Sequence, residues 1–546
     1  MTDAKKGGGV AYGAAILFIS SVAVKIIGAF FKIPLSSGKI LGDIGFGYFS
    51  SAYDLFIPIY SLASAGLPVA VAKTVSEHLA SGGKNTGGIF KTFRKWYALI
   101  GLFGTAVIAA AAFLAFRFSA ADRNILPSFI ALAPSFAFCC AMSTYRGYYE
   151  GFSDMYPAAV SDIIEALCKL FLGLGAAYLT VRVTGDAALG AAAAIAAITV
   201  GTAAAFVYLK IHSAGRITAA SADGAGISAA SIFAVVFPAA LCALSVNMPA
   251  LLDAVTLRGR LAGYGADELE TLKALYPMTF AEQGGSLTPA VAAALLYGVK
   301  SKAYTLFNLV PTFCTAICIS AVPAISYAYA ADDGENTRGN ISSALKLSAI
   351  ISFPAGAGFT AAGGKIMSLL YDSDASFEIG GELLRIFGVA ALFAGIAVTL
   401  TGVLQAVGRQ KTALKIVLLG FFVKLFVNQA ALYPHINVKA SAWGTAAAFA
   451  VIALCETAVL AKIGLTENLG NVILKPFASA VLCGAAAAAV LHFLNGKIGI
   501  LAAIIVAAAV YILALIMLNT FCEKDFSSFP SSERVISFCR KHRILR

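Results

Sequence analysis

The chain is poor in charge, and poorest in acids. Of its 546 residues only 12% are Asp, Glu, Lys or Arg, while 59% are hydrophobic. A soluble domain carries about a quarter charged residues, so a water-facing surface over most of this chain is excluded. Motifs of group-transfer and metal chemistry are missing too. There is no Gly-rich loop ending in Gly-Lys-Ser/Thr, which excludes an ATPase of that type, and no His-Glu-x-x-His pair. The five histidines, His78, His212, His435, His492 and His542, are dispersed. Ten cysteines are scattered, mostly within apolar runs, and read as small buried hydrophobes. Cys314 and Cys318 share a helix face, but zinc needs three or four ligands.

What is present is apolar length. Hydrophobic runs long enough to cross a bilayer, about 20 residues each, recur along the chain. They are continuous rather than alternating, so helices are expected and not a barrel. The expected fold is an all-α polytopic membrane protein with about fourteen spans. Their centres lie near Ile19, Ile59, Ile108, Ala137, Leu170, Ile198, Leu241, Thr315, Phe353, Gly395, Val423, Ile452, Gly484 and Val506. Val10 to Phe31 reads as the first membrane helix, being too long for a cleavable leader. Lys and Arg together number 40 against 28 acids. In a membrane protein such an excess reflects cytoplasmic loops and anionic lipid, so no nucleic-acid partner is expected. Cations precede the first span (Lys5, Lys6), follow the second (Lys84, Lys91, Arg94, Lys95) and the tenth (Arg409, Lys411, Lys415), and crowd the tail (Lys524, Arg534, Arg540, Lys541). With an even span count all fall on one side, which places both termini in the cytoplasm.

One local pattern occurs twice. Arg146-Gly147-Tyr148-Tyr149-Glu150-Gly151 and Thr401-Gly402-Val403-Leu404-Gln405-Ala406 are related by a shift of 255, which carries Gly147 onto Gly402. The same shift carries Lys169 onto Lys424 and Pro68 onto Pro323. Internal duplication is how many transporters are built, with substrate bound between the halves. The expected organisation is an N-terminal lobe over 1–226 and a C-terminal lobe over 227–465 with an outer loop at 253–290. Two further helices follow over 466–520, and a basic cytoplasmic tail over 521–546. Six spans per repeat give both lobes one orientation and a symmetry axis along the membrane normal. Pro58, Pro68, Pro311, Pro323 and Pro354 lie inside spans, where they kink helices for motion or merely for packing.

Ionisable residues inside the spans are costly, about 2.5–3.5 kcal/mol each at the bilayer centre on insertion scales, and normally face a cavity or a partner. Lys25 lies about two-thirds through the first span, and Lys32 follows roughly two turns later on the same face. The pair suits an anionic group in a cavity. The alternative is snorkelling to the interface, the more natural reading for Lys32. Lys300 and Lys302 enter the eighth span ahead of Tyr304, Asn308 and Pro311, either as a second half of a cationic pocket or as an interfacial anchor. Asp54 can neutralise a lysine or take part in coupling to a cation. Glu165 stands four residues before Lys169, the spacing of an intrahelical ion pair, whereas the repeat-related Lys424 has no such acid. Arg146, with Glu150 and Asp154, reads as a loop-orienting cluster at a helix end.

Lys25-Ile26-Ile27-Gly28-Ala29-Phe30-Phe31-Lys32-Ile33-Pro34-Leu35 resembles the helix-one signature of the stage V sporulation protein B group. Ala65-Gly66-Leu67-Pro68-Val69-Ala70, Tyr145-Arg146-Gly147-Tyr148-Tyr149-Glu150-Gly151 and Leu309-Val310-Pro311 leading to Val322-Pro323-Ala324 add to the resemblance, which runs from about residue 10 to 520. That group is part of the multidrug/oligosaccharidyl-lipid/polysaccharide exporter superfamily, which includes the lipid II flippases. The resemblance implies two lobes around a cationic cavity, no enzymatic step, and translocation of an undecaprenyl-diphosphate-linked saccharide, with lipid II foremost. It implies a diphosphate-sugar site made by Lys25 and Lys32 on helix one and Lys300 and Lys302 near helix eight. Asp54, Glu165, Lys169 and Lys424 then serve coupling or charge balance. Cell-wall synthesis proteins are implied as partners. No cofactor is expected beyond a coupling ion, sodium or proton. Where lipid II flippases often carry arginine this chain has lysine, a point charge without the bidentate fork. Three other readings stay open: a cation-coupled multidrug exporter, which should show acidic cavity residues; a non-transporting cell-wall or sporulation scaffold; and a membrane glycosyltransferase.

Overall fold

A computed structural model describes the chain apart from residues 1–2, 82–85, 119–122, 214–246, 282–286, 372, 466–468, 495 and 521–546. The expected span near Leu241 and the basic tail lie outside the described residues. The rest is helical, with no strand among the described residues. The long helices are α1 (Asp3–Leu35), α2 (Gly42–Ser61), α3 (Leu67–Ala80), α4 (Gly87–Phe118), α5 (Leu126–Gly151), α6 (Tyr156–Thr184) and α7 (Ala187–Ser213). Helix α8 covers 247–261, and the short α9 (Ala266–Leu275) and α10 (Pro277–Ala281) follow. Next come α11 (Pro289–Phe307), α12 (Leu309–Ala330), α13 (Gly334–Leu370) and α14 (Asp374–Ala406). Last are α15 (Gln410–Asn428), α16 (Lys439–Lys462), α17 (Leu469–Phe493) and α18 (Gly496–Met517).

Ten helical segments among the described residues are long and apolar enough to cross a bilayer, so this is a multi-pass membrane protein. They contain ten of the fourteen expected centres, from Ala137 to Ile198 and from Thr315 to Val506. Ile19, Ile59 and Ile108 fall on the further helices α1, α2 and α4.

Helix ends follow local chemistry. Gly185 closes α6 with φ +68°, a left-handed conformation that glycine adopts without strain. The Asp186 carboxylate then accepts from the Ala188 amide at 2.7 Å to start α7. Asp333 and Ser373 cap α13 and α14 in the same way. Pro58 precedes a π-helical turn, Leu62–Gly66, that separates α2 from α3. Pro68 and Pro311 start helices, whereas Pro323 and Pro354 lie within them.

The chain folds as two compact units, Met1–Ala262 with Ala290–Gly298, and Gly263–Pro289 with Val299–Arg546. In the first, α5 packs on α3, α4 and α7, and α6 packs on α7. In the second, α14 packs on α12, α13 and α16, and α15 packs on α16. The shift of 255 carries each of these helices onto its counterpart. The repeated glycines do equivalent work. A Cβ on Gly147 would overlap the Pro68 carbonyl and Val71 of α3, and one on Gly402 would overlap Cys318 of α12. Each glycine lets two helices approach where a side chain would hold them apart.

The expected boundary at 226 lies outside the described residues, and α8 packs with the first unit. One expectation changes. The segment expected as an outer loop at 253–290 is largely helical: α8 runs through Asp253 to Leu261, and α9 buries Leu269 and Leu272 on an amphipathic face. Its charges suggested a loop, but they lie on helix faces.

Candidate functional site

Helix α1 carries Lys25, which is exposed, and Lys32, which is half-buried. The Lys32 Nζ sits 5.0 Å from the centre of the Tyr53 ring on α2. Lys169 of α6 approaches the same ring at 4.9 Å and donates to the Tyr53 hydroxyl at 3.2 Å. It also lies 5.4 Å from the Phe31 ring. Lys25, Asp54 and Lys169 are all within electrostatic reach of Lys32. The ammonium groups of Lys32 and Lys169, from two helices, thus meet over one aromatic ring, with Lys25 within electrostatic reach and Asp54 and Glu165 the nearby carboxylates. Each cation over a ring gains about 0.5–2 kcal/mol. That softens burial but leaves an excess of positive charge. Such a cluster can hold a phosphate-type anion by point charges.

Glu165 does not serve Lys169 as its spacing suggested. One carboxylate oxygen accepts from the Tyr60 hydroxyl at 2.7 Å, and the other lies 3.7 Å from the Arg146 guanidinium. Arg146 is buried and meets Asp162 at 2.7 Å and the Ser161 hydroxyl at 2.9 Å. It therefore ties α5 to α6 rather than orienting a loop with Glu150 and Asp154. Helical spacing allows the Glu165–Lys169 contact, but Arg146 and Tyr60 arrive from other helices with better geometry. Lys169 turns to the Tyr53 ring, with Glu165 still within its electrostatic reach.

Asp54 accepts from the Tyr297 hydroxyl at 2.8 Å. Tyr297 also senses Asp253 and Arg258 of α8. Asp253 is fully buried, and Arg258 stacks 5.7 Å over Tyr48. Neither residue stood out in the sequence, because both were assigned to a loop. No local sequence signal marks them; the π-helical turn Asp253–Leu257, which includes the buried Asp253, is visible only in the structure.

In the second unit, Lys300 and Lys302 are both buried. Two positions apart on a helix, they point to nearly opposite sides. Lys300 lies 5.0 Å over Tyr304. Lys302 lies 5.0 Å over Tyr371 and donates to the Ser376 hydroxyl at 3.1 Å, an anchor at the start of α14. Lys424 donates to the Ser441 carbonyl at 3.2 Å and to the Thr445 hydroxyl at 2.8 Å, tying α15 to α16. The repeat-related lysines have thus diverged: Lys169 joins a cationic cluster, and Lys424 joins two helices. Glu456 on α16 accepts from Thr401 of α14 at 2.8 Å.

The profile of the family described as polysaccharide biosynthesis protein matches residues 10–328, more than half of the chain. The chain belongs to that family. A second profile, MatE, matches residues 297–429. Bacillus subtilis uncharacterized membrane protein YabM is 24% identical over 97% of this chain and 96% of its own. The lipid II flippase MurJ of the same organism is 22% identical over 76% of each chain. Stage V sporulation protein B, also from Bacillus subtilis, is 24% identical over 36% of this chain and 38% of its own. A solved structure of lipid II flippase MurJ in an inward closed conformation superposes with a TM-score of 0.65 at 14% identity, covering 92% of this chain and 98% of that one. At that identity the superposition shows the fold. Membership in the polysaccharide biosynthesis family makes the chain a transporter of the multidrug/oligosaccharidyl-lipid/polysaccharide exporter superfamily, close to the flippases named above.

Proposed function

We propose that this transporter flips an undecaprenyl-diphosphate-linked saccharide, with the peptidoglycan precursor lipid II as its cargo, across a bacterial plasma membrane. The observation that carries the reading is the meeting of Lys32 and Lys169 over the Tyr53 ring, with Lys25 in electrostatic reach of Lys32. A diphosphate brings negative charge that matches these ammonium groups, and lysine serves phosphate as a point charge. The 22% identity to a lipid II flippase over most of both chains supports the cargo class. Within the second unit, Lys302 positions helix α14 through Ser376. Both termini lie in the cytoplasm, following the distribution of Lys and Arg. No covalent step is involved, and cell-wall synthesis proteins are the natural consumers of the flipped lipid. Membrane potential, worth about 2.3 kcal/mol per charge per 100 mV, biases the transfer, with sodium or proton coupling routed through Asp54.

The MatE match favours a second reading, a cation-coupled multidrug exporter. Organic cations need acidic lining, and the lysines at Tyr53 oppose it. Lipid II translocation in proteoliposomes separates the two. Wild-type protein moves lipid II, and Lys25→Glu, folded as judged by its elution and melting, loses that activity. Intact transport in Lys25→Glu would remove the cationic site from the argument. An inactive wild type under imposed potential and ion gradients, with export of an organic cation instead, would establish the second reading.

A further inference from the structure

The first unit carries a second cationic site away from Tyr53. A cavity of about 390 Å³ lies among α4, α5 and α7. Its basic lining is Lys91, Arg94 and Lys95 from the first turns of α4 and Lys210 from the last turn of α7. Tyr145 and Phe206 lie beneath, in edge contact with ring centres 5.8 Å apart. Among the described residues no carboxylate lines it. The Arg94 guanidinium is held 5.9 Å over the Phe90 ring, and Phe90 packs edge-on to Tyr145 at 5.1 Å. The floor is therefore a rigid aromatic layer, and the charges stand above it.

Directly beyond the cations, α4 exposes Leu99, Leu102, Phe103 and Val107, about two more turns of apolar side chains. A soluble anion would have no use for that stripe. A lipid would: its phosphate meets the cations and its acyl chains lie along the leucines and phenylalanine. The distribution of Lys and Arg puts this end of the three helices on the cytoplasmic side, where anionic lipid gathers.

We propose that this cavity is a binding site for the headgroup of an anionic phospholipid of the surrounding membrane, separate from the cargo site. Lipid phosphate occupies the space among Arg94, Lys95 and Lys210, and the tails follow α4 outward. A lipid held there braces the α4–α7 side of the first unit.

The chain has two tryptophans, and they make the test direct. Trp96 on α4 is next to Lys95 and 38% exposed, and Trp443 lies in the second unit. The full chain with Trp443→Phe is reconstituted with phosphatidylcholine and a minor fraction of phosphatidylglycerol. One lipid or the other is brominated near the headgroup end of its tails. Brominated phosphatidylglycerol is expected to quench Trp96 beyond its mole fraction, and brominated phosphatidylcholine is not. Each neutralisation, Arg94→Gln, Lys95→Gln or Lys210→Gln, should reduce the preference about fivefold, and the triple variant should abolish it. The companion Trp96→Phe chain, read at Trp443, should show no change between wild-type and neutralised cavities. Should the triple variant fail to fold, the single variants carry the same test. Equal quenching by both lipids at Trp96, or a preference that survives neutralisation, overturns the proposal. So does loss of the preference when tail-free glycerophosphoglycerol is added at the concentration of the lipid, since the stripe would then contribute nothing.

Discussion

Arg146 offers the sharpest test of how this bundle tolerates charge. Its guanidinium meets Asp162 at 2.7 Å and Glu165 at 3.7 Å, and its Nε donates to Ser161 at 2.9 Å. Arg146→Ala leaves two carboxylates without their cation. Removing one partner of a buried pair costs about 3–5 kcal/mol. Asp162 is nearly a third exposed, so water screens part of its loss and the lower end applies. We expect Arg146→Ala to lower stability by about 3 kcal/mol, read as a large drop in the melting temperature of purified protein in a fixed detergent. Glu165→Gln in the same background should recover about 1 kcal/mol or more, because it removes one stranded charge while leaving an acceptor for Tyr60. Glu165→Gln alone should cost about 1–2 kcal/mol, as a charged hydrogen bond becomes neutral. The cycle therefore predicts a coupling above about 1 kcal/mol between two residues on different helices. A loss under about 1 kcal/mol in Arg146→Ala, or strictly additive variants, would show that the network is not closed as described.

Other substitutions should behave differently. Lys424→Met should stay within about 1 kcal/mol of wild type by melting temperature, because its partners Ser441 and Thr445 already bond to each other at 2.8 Å. Gly147→Leu should cost about 1–3 kcal/mol or prevent accumulation of folded protein, since the added side chain meets the α3 backbone at Pro68; size-exclusion chromatography of membrane extracts reads this. Ser376→Ala should cost about 1 kcal/mol by removing the Lys302 acceptor while leaving lipid II transport intact, and loss of transport at unchanged stability would place Lys302 in the cargo site instead.

Much of the architecture is legible in the sequence alone. Apolar runs of membrane length predict helices because lipid offers no partner to an open backbone. The shift of 255 anticipated equivalent packing around Gly147 and Gly402, because a glycine repeated beside the same helix reports one backbone contact used twice. The basic residues of the site were visible as charges in an apolar setting. Their roles were not. Helical spacing paired Glu165 with Lys169, yet Arg146 from α5 and Tyr60 from α2 took the carboxylate. Lys300 and Lys302 looked like one pair and point to different sides, and Asp253 and Arg258 looked like loop residues and are buried.

The sequence by itself determined that the chain lies in a membrane, that it is built from a duplicated helical unit, and that its buried charge is mainly basic. These follow from composition and period, which any window along the chain reveals. Only the tertiary structure decided which charges meet. Partner choice depends on distances of a few ångströms between helices more than 100 residues apart in the case of Tyr53 and Lys169, and no local spacing carries that information.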